Sequence, residues 1–281
     1  MNFSLQEYPP SALLSPFVEC YWKGAFNLNA EGAVSFQMVP NACLELIIHL
    51  DDLRCNFPGT EDWVQTPDYM IIGLITQPHE IRFPSTVPVF TIRFKPEALY
   101  HLFRFNGSEI IETYEDMTLL LGNDIRDFCH QIREESQVER MIQRAENYLL
   151  KKLEKRKGEP GYVNQAAELI RNSQHINIRD ISDHVCVSQR QLERKFREVV
   201  GVSPKHYLRL TRMNRVMRVL EQNRSLSLSS VAYYCGYFDQ AHFIKDFKRI
   251  TGLNPTFFHK ERQKFIVLPG QVYIDEPLYG T

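Results

Sequence analysis

The run VAYYCGYFDQAHFIKDFKRITGLNP, residues 231–255, contains a thiol (Cys235) and an imidazole (His242), two groups that could begin a zinc site. A structural zinc site needs four closely spaced soft ligands. The six cysteines, at 20, 43, 55, 129, 186 and 235, include no C-x-x-C pair. His49, His79, His101 and His130 are scattered, with neither H-x-H nor H-E-x-x-H spacing. The sequence thus predicts no catalytic residues, metal or cofactor, and buried, reduced thiols. The same run suggests a different chemistry. Phe243 and Phe247 lie one helical turn apart, with Lys245, Lys248 and Arg249 around them. An apolar stripe would hold such a helix to a core, and the opposite face would offer donors to phosphates and guanine edges.

A weaker copy stands 51 residues upstream. Leu192 falls on Phe243, Phe196 on Phe247, Gly201 on Gly252, Pro204 on Pro255, Ser188 on Asp239 and Ile181 on Ala232. So many matches at one offset predict a duplicated supersecondary unit. Each copy reads as a helix, a short turn, an N-cap, a second helix and a glycine suited to a left-handed C-cap. Ser188 and Gln191 have capping-box spacing, and Ser203-Pro204 and Asn254-Pro255 each open a further helix. That is the shape of a helix-turn-helix.

At 100° per residue, the second helices sort their residues cleanly. Leu192, Phe196 and Val199 face one way, and Arg190, Glu193, Arg194 and Arg197 the other. In the later copy Phe243, Phe247 and Ile250 face the core, while Ala241, His242, Lys245, Lys248 and Arg249 face out. Residues 204–222 read as one connecting helix of about 28 Å at 1.5 Å per residue, close to the ~34 Å between successive major grooves. The base-reading candidates are Arg190, Glu193 and Arg194 in one groove, and Gln240, His242 and Lys245 in the next. Gln189, Lys205, Arg209, Arg212 and Lys248 are the phosphate-contact candidates.

The charge follows the same division. Residues 1–160 carry 15 Lys+Arg against 23 Asp+Glu, a net of −8; residues 161–281 carry 18 against 11, a net of +7. A basic half invites a polyanion, and an acidic half implies a separate task. Between them, KKLEKRKGEPGY (151–162) reads as a helix end and linker. From about 33 to 95, segments such as CLELIIHL, YMIIGLI and PVFTIRF predict an antiparallel sheet or barrel. In the last of these, Phe90, Ile92 and Phe94 form one apolar face, and Val89, Thr91 and Arg93 a mixed one. From 96 to 153 the period moves towards 3.6, with Val138, Met141, Ile142, Ala145, Tyr148 and Leu149 along one side of a helix. No apolar run reaches the ~20 residues of a membrane span, and the N-terminus lacks the pattern of a signal peptide. These features predict a cytoplasmic protein without a membrane partner.

Residues 165–262 resemble the DNA-binding domain of the AraC-family transcription regulators. The likeness is carried by Ala232, Gly236-Tyr237, His242-Phe243, Phe247, Gly252 and Pro255, with Ser182 and Phe238 as departures. It implies a domain of seven helices in which each second helix enters a major groove of duplex DNA. LSPFVECYWKG (14–24), VPNACLELIIHL (39–50) and TIRFKPEALYHLF (91–103) resemble a sensor-like domain of such regulators. That likeness implies a small-molecule effector, a homodimer, or both, and RNA polymerase as a partner where the member activates. Trp22, Glu45 and Arg93 are the effector-pocket candidates in a partly polar interior.

The resulting expectation is an α+β chain. Residues 1–153 form a β-rich effector-binding or dimerisation domain with flanking helices, 154–162 a linker, and 163–265 an all-α domain with two helix-turn-helix units. Residues 266–281 form a tail of unassigned role. The alternative is an enzyme, a metal-dependent β-barrel or a DNA repair protein, fused to a DNA-binding module. A protein-binding adaptor is the third reading.

Overall fold

The computed structural model describes residues 2–27, 34–58, 62–83, 86–154, 161–173, 175–222, 226–260 and 265–266. Ten strands occupy the first half among the described residues. They are β1 (Asn2–Tyr8), β2 (Val18–Asn27), β3 (Val34–Met38), β4 (Leu44–His49), β5 (Asn56–Pro58), β6 (Trp63–Gln65), β7 (Tyr69–Ile72), β8 (His79–Phe83), β9 (Val87–Phe94) and β10 (Tyr114–Asp116). Helices α1 (Ala98–Phe103), α2 (Met117–Leu121), α3 (Asn123–Arg133) and α4 (Val138–Glu154) accompany them, with a 3-10 turn at Gly107–Ile110. Seven helices follow: α5 (Tyr162–Asn172), α6 (Ile178–His184), α7 (Gln189–Val200), α8 (Pro204–Gln222), α9 (Leu228–Tyr234), α10 (Gln240–Thr251) and α11 (Pro255–Lys260).

Period-two alternation explains how the strands are layered. Six strands form an antiparallel sheet in the order β1-β2-β9-β4-β7-β10. One face of it, with Tyr21, Leu46, Ile48, Phe90, Ile92 and Phe94, packs on the helices. The other face, with Cys20, Trp22, Ile47, Met70, Ile72 and Val89, packs on the second sheet, β11-β3-β8-β5-β6. Its strand β11 (Phe265–Ile266) runs parallel to β3. The apolar and mixed faces expected of β9 are therefore its helix side and its sheet side. Two strands precede the expected window. The consecutive residues Cys20, Tyr21 and Trp22 of β2 are all buried, so this part of the strand shows no apolar-polar alternation to read.

Helix α4 buries Met141, Ala145 and Leu149 in the apolar core, with Val138, Ile142 and Tyr148 packed beside them. Residues 155–160 of the expected 154–162 linker lie outside the described residues, as does the tail beyond Ile266. The two halves nevertheless share one continuous apolar cluster, which runs from the first sheet through α1–α4 into α5–α10. Polar contacts join them as well. The Arg171 guanidinium donates to both Glu97 carboxylate oxygens at 2.6 and 3.0 Å, and Tyr100 Oη donates to Glu198 at 3.2 Å. His101 and Asn164 meet at 2.7 Å.

Candidate nucleic-acid interface

Each second helix is set by its own side chains. Ser188 caps α7 by accepting from the Gln191 amide at 3.3 Å, and Gln191 reaches back to the Ser188 amide at 3.1 Å. Asp239 caps α10 by accepting from the His242 amide at 2.7 Å. Both helices end at a left-handed glycine, Gly201 (φ 93°) and Gly252 (φ 72°), whose amides donate to Arg197 and Lys248. Leu192, Phe196 and Val199 are buried under α7, and Phe243, Phe247 and Ile250 under α10.

The repeat carries a correction. From the N-caps onward the offset is 51, but across the first helices and the start of the turn it is 50. Val187 donates to the Ser182 carbonyl as Tyr237 does to Ala232, and the positive-φ turn residues are Cys186 and Gly236. Ile181 thus corresponds to Val231, and buried Ser182 to buried Ala232. The second turn is one residue longer, and the additional residue is Phe238, 94% exposed.

On the outer faces, Gln189, Arg190, Glu193, Arg194 and Arg197 of α7 are exposed, with Arg197 paired to Glu193 at 2.9 Å. Gln240, Ala241, His242, Lys245, Lys248 and Arg249 of α10 are exposed likewise, and Gln240 accepts from Ser229 Oγ at 2.7 Å. Cys235 is fully buried, and burial pushes its thiol up to about 12. Among the described residues no group of three or more His, Cys, Asp or Glu side chains could hold a metal ion.

Lys205 is exposed at the start of α8, but the two arginines expected to join it on phosphate turn inward. Arg209 donates through Nε to Asp246 at 2.8 Å and pairs with the same carboxylate through Nη2. Arg212 lies over the Tyr237 ring at 5.1 Å, and its Nε is buried. Asp246 explains the placement of Arg209. It stands on the core side of α10, where a carboxylate needs partners, and takes Arg209 and the Tyr237 hydroxyl (3.2 Å). A charged residue between Phe243 and Phe247 was the sequence signal for this network.

The three effector-pocket candidates come together between the two sheets. Arg93 Nε donates to Glu45 at 2.7 Å and Trp22 Nε1 to the same oxygen at 3.3 Å, with all three side chains buried. Burial opposes the charge on Arg93, but Glu45 holds its guanidinium protonated above the usual range. The cavity that Trp22 and Glu45 border measures only about 20 Å³, roughly enough for one water.

Residues 181–261 match a family described as a helix-turn-helix domain. This stretch is an AraC-type helix-turn-helix domain. Residues 6–116 match a domain of unknown function (DUF6597). The chain is 33% identical over 84 residues to the transcriptional regulator ArgR of Pseudomonas aeruginosa, covering 30% of this chain and 25% of that protein. It is 34% identical over 105 residues to the Msm operon regulatory protein of Streptococcus mutans, covering 36% and 37%. This chain therefore spans between a quarter and two-fifths of the length of these relatives. Among solved structures, ToxT from Vibrio cholerae aligns with 85% of this chain and 98% of its own, at 11% identity and a TM-score of 0.48.

Proposed function

We propose that this chain is a cytoplasmic, sequence-specific transcription regulator whose α7 and α10 read successive major grooves of duplex DNA. One observation supports this above others. Two helices with matched caps bury matched apolar stripes, leave basic, hydrogen-bonding faces exposed, and both pack on one connecting helix. On this reading Arg190, Glu193 and Arg194, and Gln240, His242 and Lys245, contact base edges. Gln189, Lys205 and Lys248 hold phosphates, while Arg209 and Arg212 brace the fold behind them. Residues 163–265 are the DNA-binding domain, and 1–153 modulate it through a small-molecule effector, through homodimer formation, or both. RNA polymerase is a partner where the effect is activation. The relatives' names as regulators, and the net charge of +7 over residues 161–281, favour this reading over an enzyme or an adaptor.

The experiment is selection of sites from a random duplex library with the full chain, followed by footprinting. We expect an enriched asymmetric site protected over two successive major-groove faces. Equal affinity for selected and scrambled duplexes at every salt concentration would refute it.

A further inference from the structure

In the first helix-turn-helix unit the residue before the N-cap is Val187, which packs partly buried against the core. Its counterpart Tyr237 is buried too. The Tyr237 and Phe243 rings have centroids 5.4 Å apart, and the Tyr237 hydroxyl donates to Asp246. An apolar residue ahead of the cap that packs on the fourth residue of the helix fixes how the chain enters it. Tyr237 fills that role for α10, whose fourth residue is Phe243. The additional residue, Phe238, is left outside the core. At 94% it is the most exposed large apolar side chain among the described residues. It stands immediately before Asp239, the N-cap of α10.

The tips of the two second helices differ accordingly. After Ser188, α7 exposes Gln189, Arg190, Glu193 and Arg194. After Phe238 and Asp239, α10 exposes Gln240, Ala241 and His242. The His242 ring leans on the Tyr237 ring, with centroids 5.3 Å apart, and Gln240 Oε1 accepts from Ser229 Oγ at 2.7 Å. Lys245, Lys248 and Arg249 follow on the exposed side, and Asp246, the one acidic residue of α10, is buried. Such a face attracts a polyanion, and Phe238 calls for one that also offers an apolar group. Duplex DNA does so at thymine alone among its bases, whose C5 methyl lies in the major groove beside the O4 acceptor.

We propose that Phe238 packs on the C5 methyl of a thymine in the major groove that α10 enters, and so makes an A·T pair the preferred one at that position. Arg190, Glu193 and Arg194 of α7 match guanine and cytosine edges instead. The two parts of the site therefore differ in base composition. The proposal rests on the regulator reading above and adds to it a base reader that stands outside the helix.

The test replaces thymine by deoxyuridine, one position at a time, in the duplex that the full chain selects. That change removes the methyl group and keeps every hydrogen-bonding group. We expect one position in the part covered by α10 at which uracil lowers affinity about fourfold, the worth of one buried methyl group. Phe238→Ser should bind the thymine duplex more weakly and no longer distinguish it from the uracil one, while Phe238→Leu should keep part of the distinction. The thermal midpoint of Phe238→Ser should match that of the unsubstituted chain, since so exposed a ring adds little to the core. The contact is refuted if uracil is tolerated at every position, or if Phe238→Ser discriminates as the unsubstituted chain does. If Phe238→Ser binds the selected duplex unchanged yet lowers transcription in a reconstituted reaction, the ring meets a protein and the proposal fails. Equal affinity for selected and scrambled duplexes would sink the regulator reading as well. Tolerance of uracil in a duplex that the chain does select would sink this contact alone.

Discussion

Gly107, at the start of the 3-10 turn, meets Gly201, the left-handed cap of α7, backbone against backbone. A Cβ on Gly107 would stand 2.1 Å from the Gly201 nitrogen and 2.3 Å from the Val200 carbonyl carbon. Backbone atoms cannot yield as a side-chain tip can, so Gly107→Ala must force the halves apart. We expect a loss of roughly 1–3 kcal/mol in urea unfolding, the usual cost of overpacking, and faster proteolysis between the halves. An unchanged midpoint would mean that the two glycines do not touch in solution.

The proposed roles of base reading and phosphate holding are told apart at Arg194 and Lys205, both exposed. Arg194→Ala should cost roughly 1–3 kcal/mol on the selected site and relax preference at one base position. Lys205→Ala should weaken all duplexes alike and reduce the salt slope by about one unit. Titrations against selected and scrambled duplexes at several salt concentrations read both effects. Identical losses in the two variants would make α7 an electrostatic grip only.

Arg209 behaves differently from either. It closes a partly buried ion pair with Asp246, whose other oxygen accepts from Tyr237. Arg209→Ala leaves a buried carboxylate without its cation, which costs about 3 kcal/mol, the lower end for such pairs because Arg209 retains some solvent. Unfolding of α9–α11 should therefore shift while the salt slope of DNA binding does not. A reduced slope with unchanged stability would return Arg209 to the phosphate contacts.

Acid stability turns on His49. Its ring is fully buried beside Cys55 and Thr66, and burial lowers its pKa to about 4. The unfolded chain binds a proton near pH 6.5 that the folded chain refuses until about pH 4. This contribution is therefore complete above pH 6.5 and is lost as pH falls towards 4, amounting to about 3 kcal/mol across that window. His49→Gln should flatten the stability profile between those values. A slope equal to that of the unsubstituted chain would assign the acid lability elsewhere.

The helix faces of the second half were legible because caps, apolar stripes and glycines act within a few residues of one another. The inward turn of Arg209 was not, since it depends on Asp246, more than thirty residues away in sequence. The alternation of β9 announced a mixed face, but not that Glu45 and Trp22 would close over Arg93 and leave room for about one water. Nor could the cavity of about 420 Å³ lined by Arg218 be anticipated, because its walls come from β2, the residue after β9, α5 and α8. Phe238 gave a partial signal. Its bulk was visible, but its status as the additional residue of the second turn required the backbone hydrogen bonds of both turns.

That additional residue gives the molecule a polarity. The two units share a plan, yet one turn is a residue longer and ends in a bare aromatic ring, and α7 and α10 present different side chains. A single chain therefore cannot treat the two strands of a duplex as equivalent, as a two-fold symmetric reader does. On the proposed reading it has a front and a back along the DNA axis. An operator inverted in place would turn the β-rich half towards the opposite flank, so the direction of the site carries information as well as its sequence.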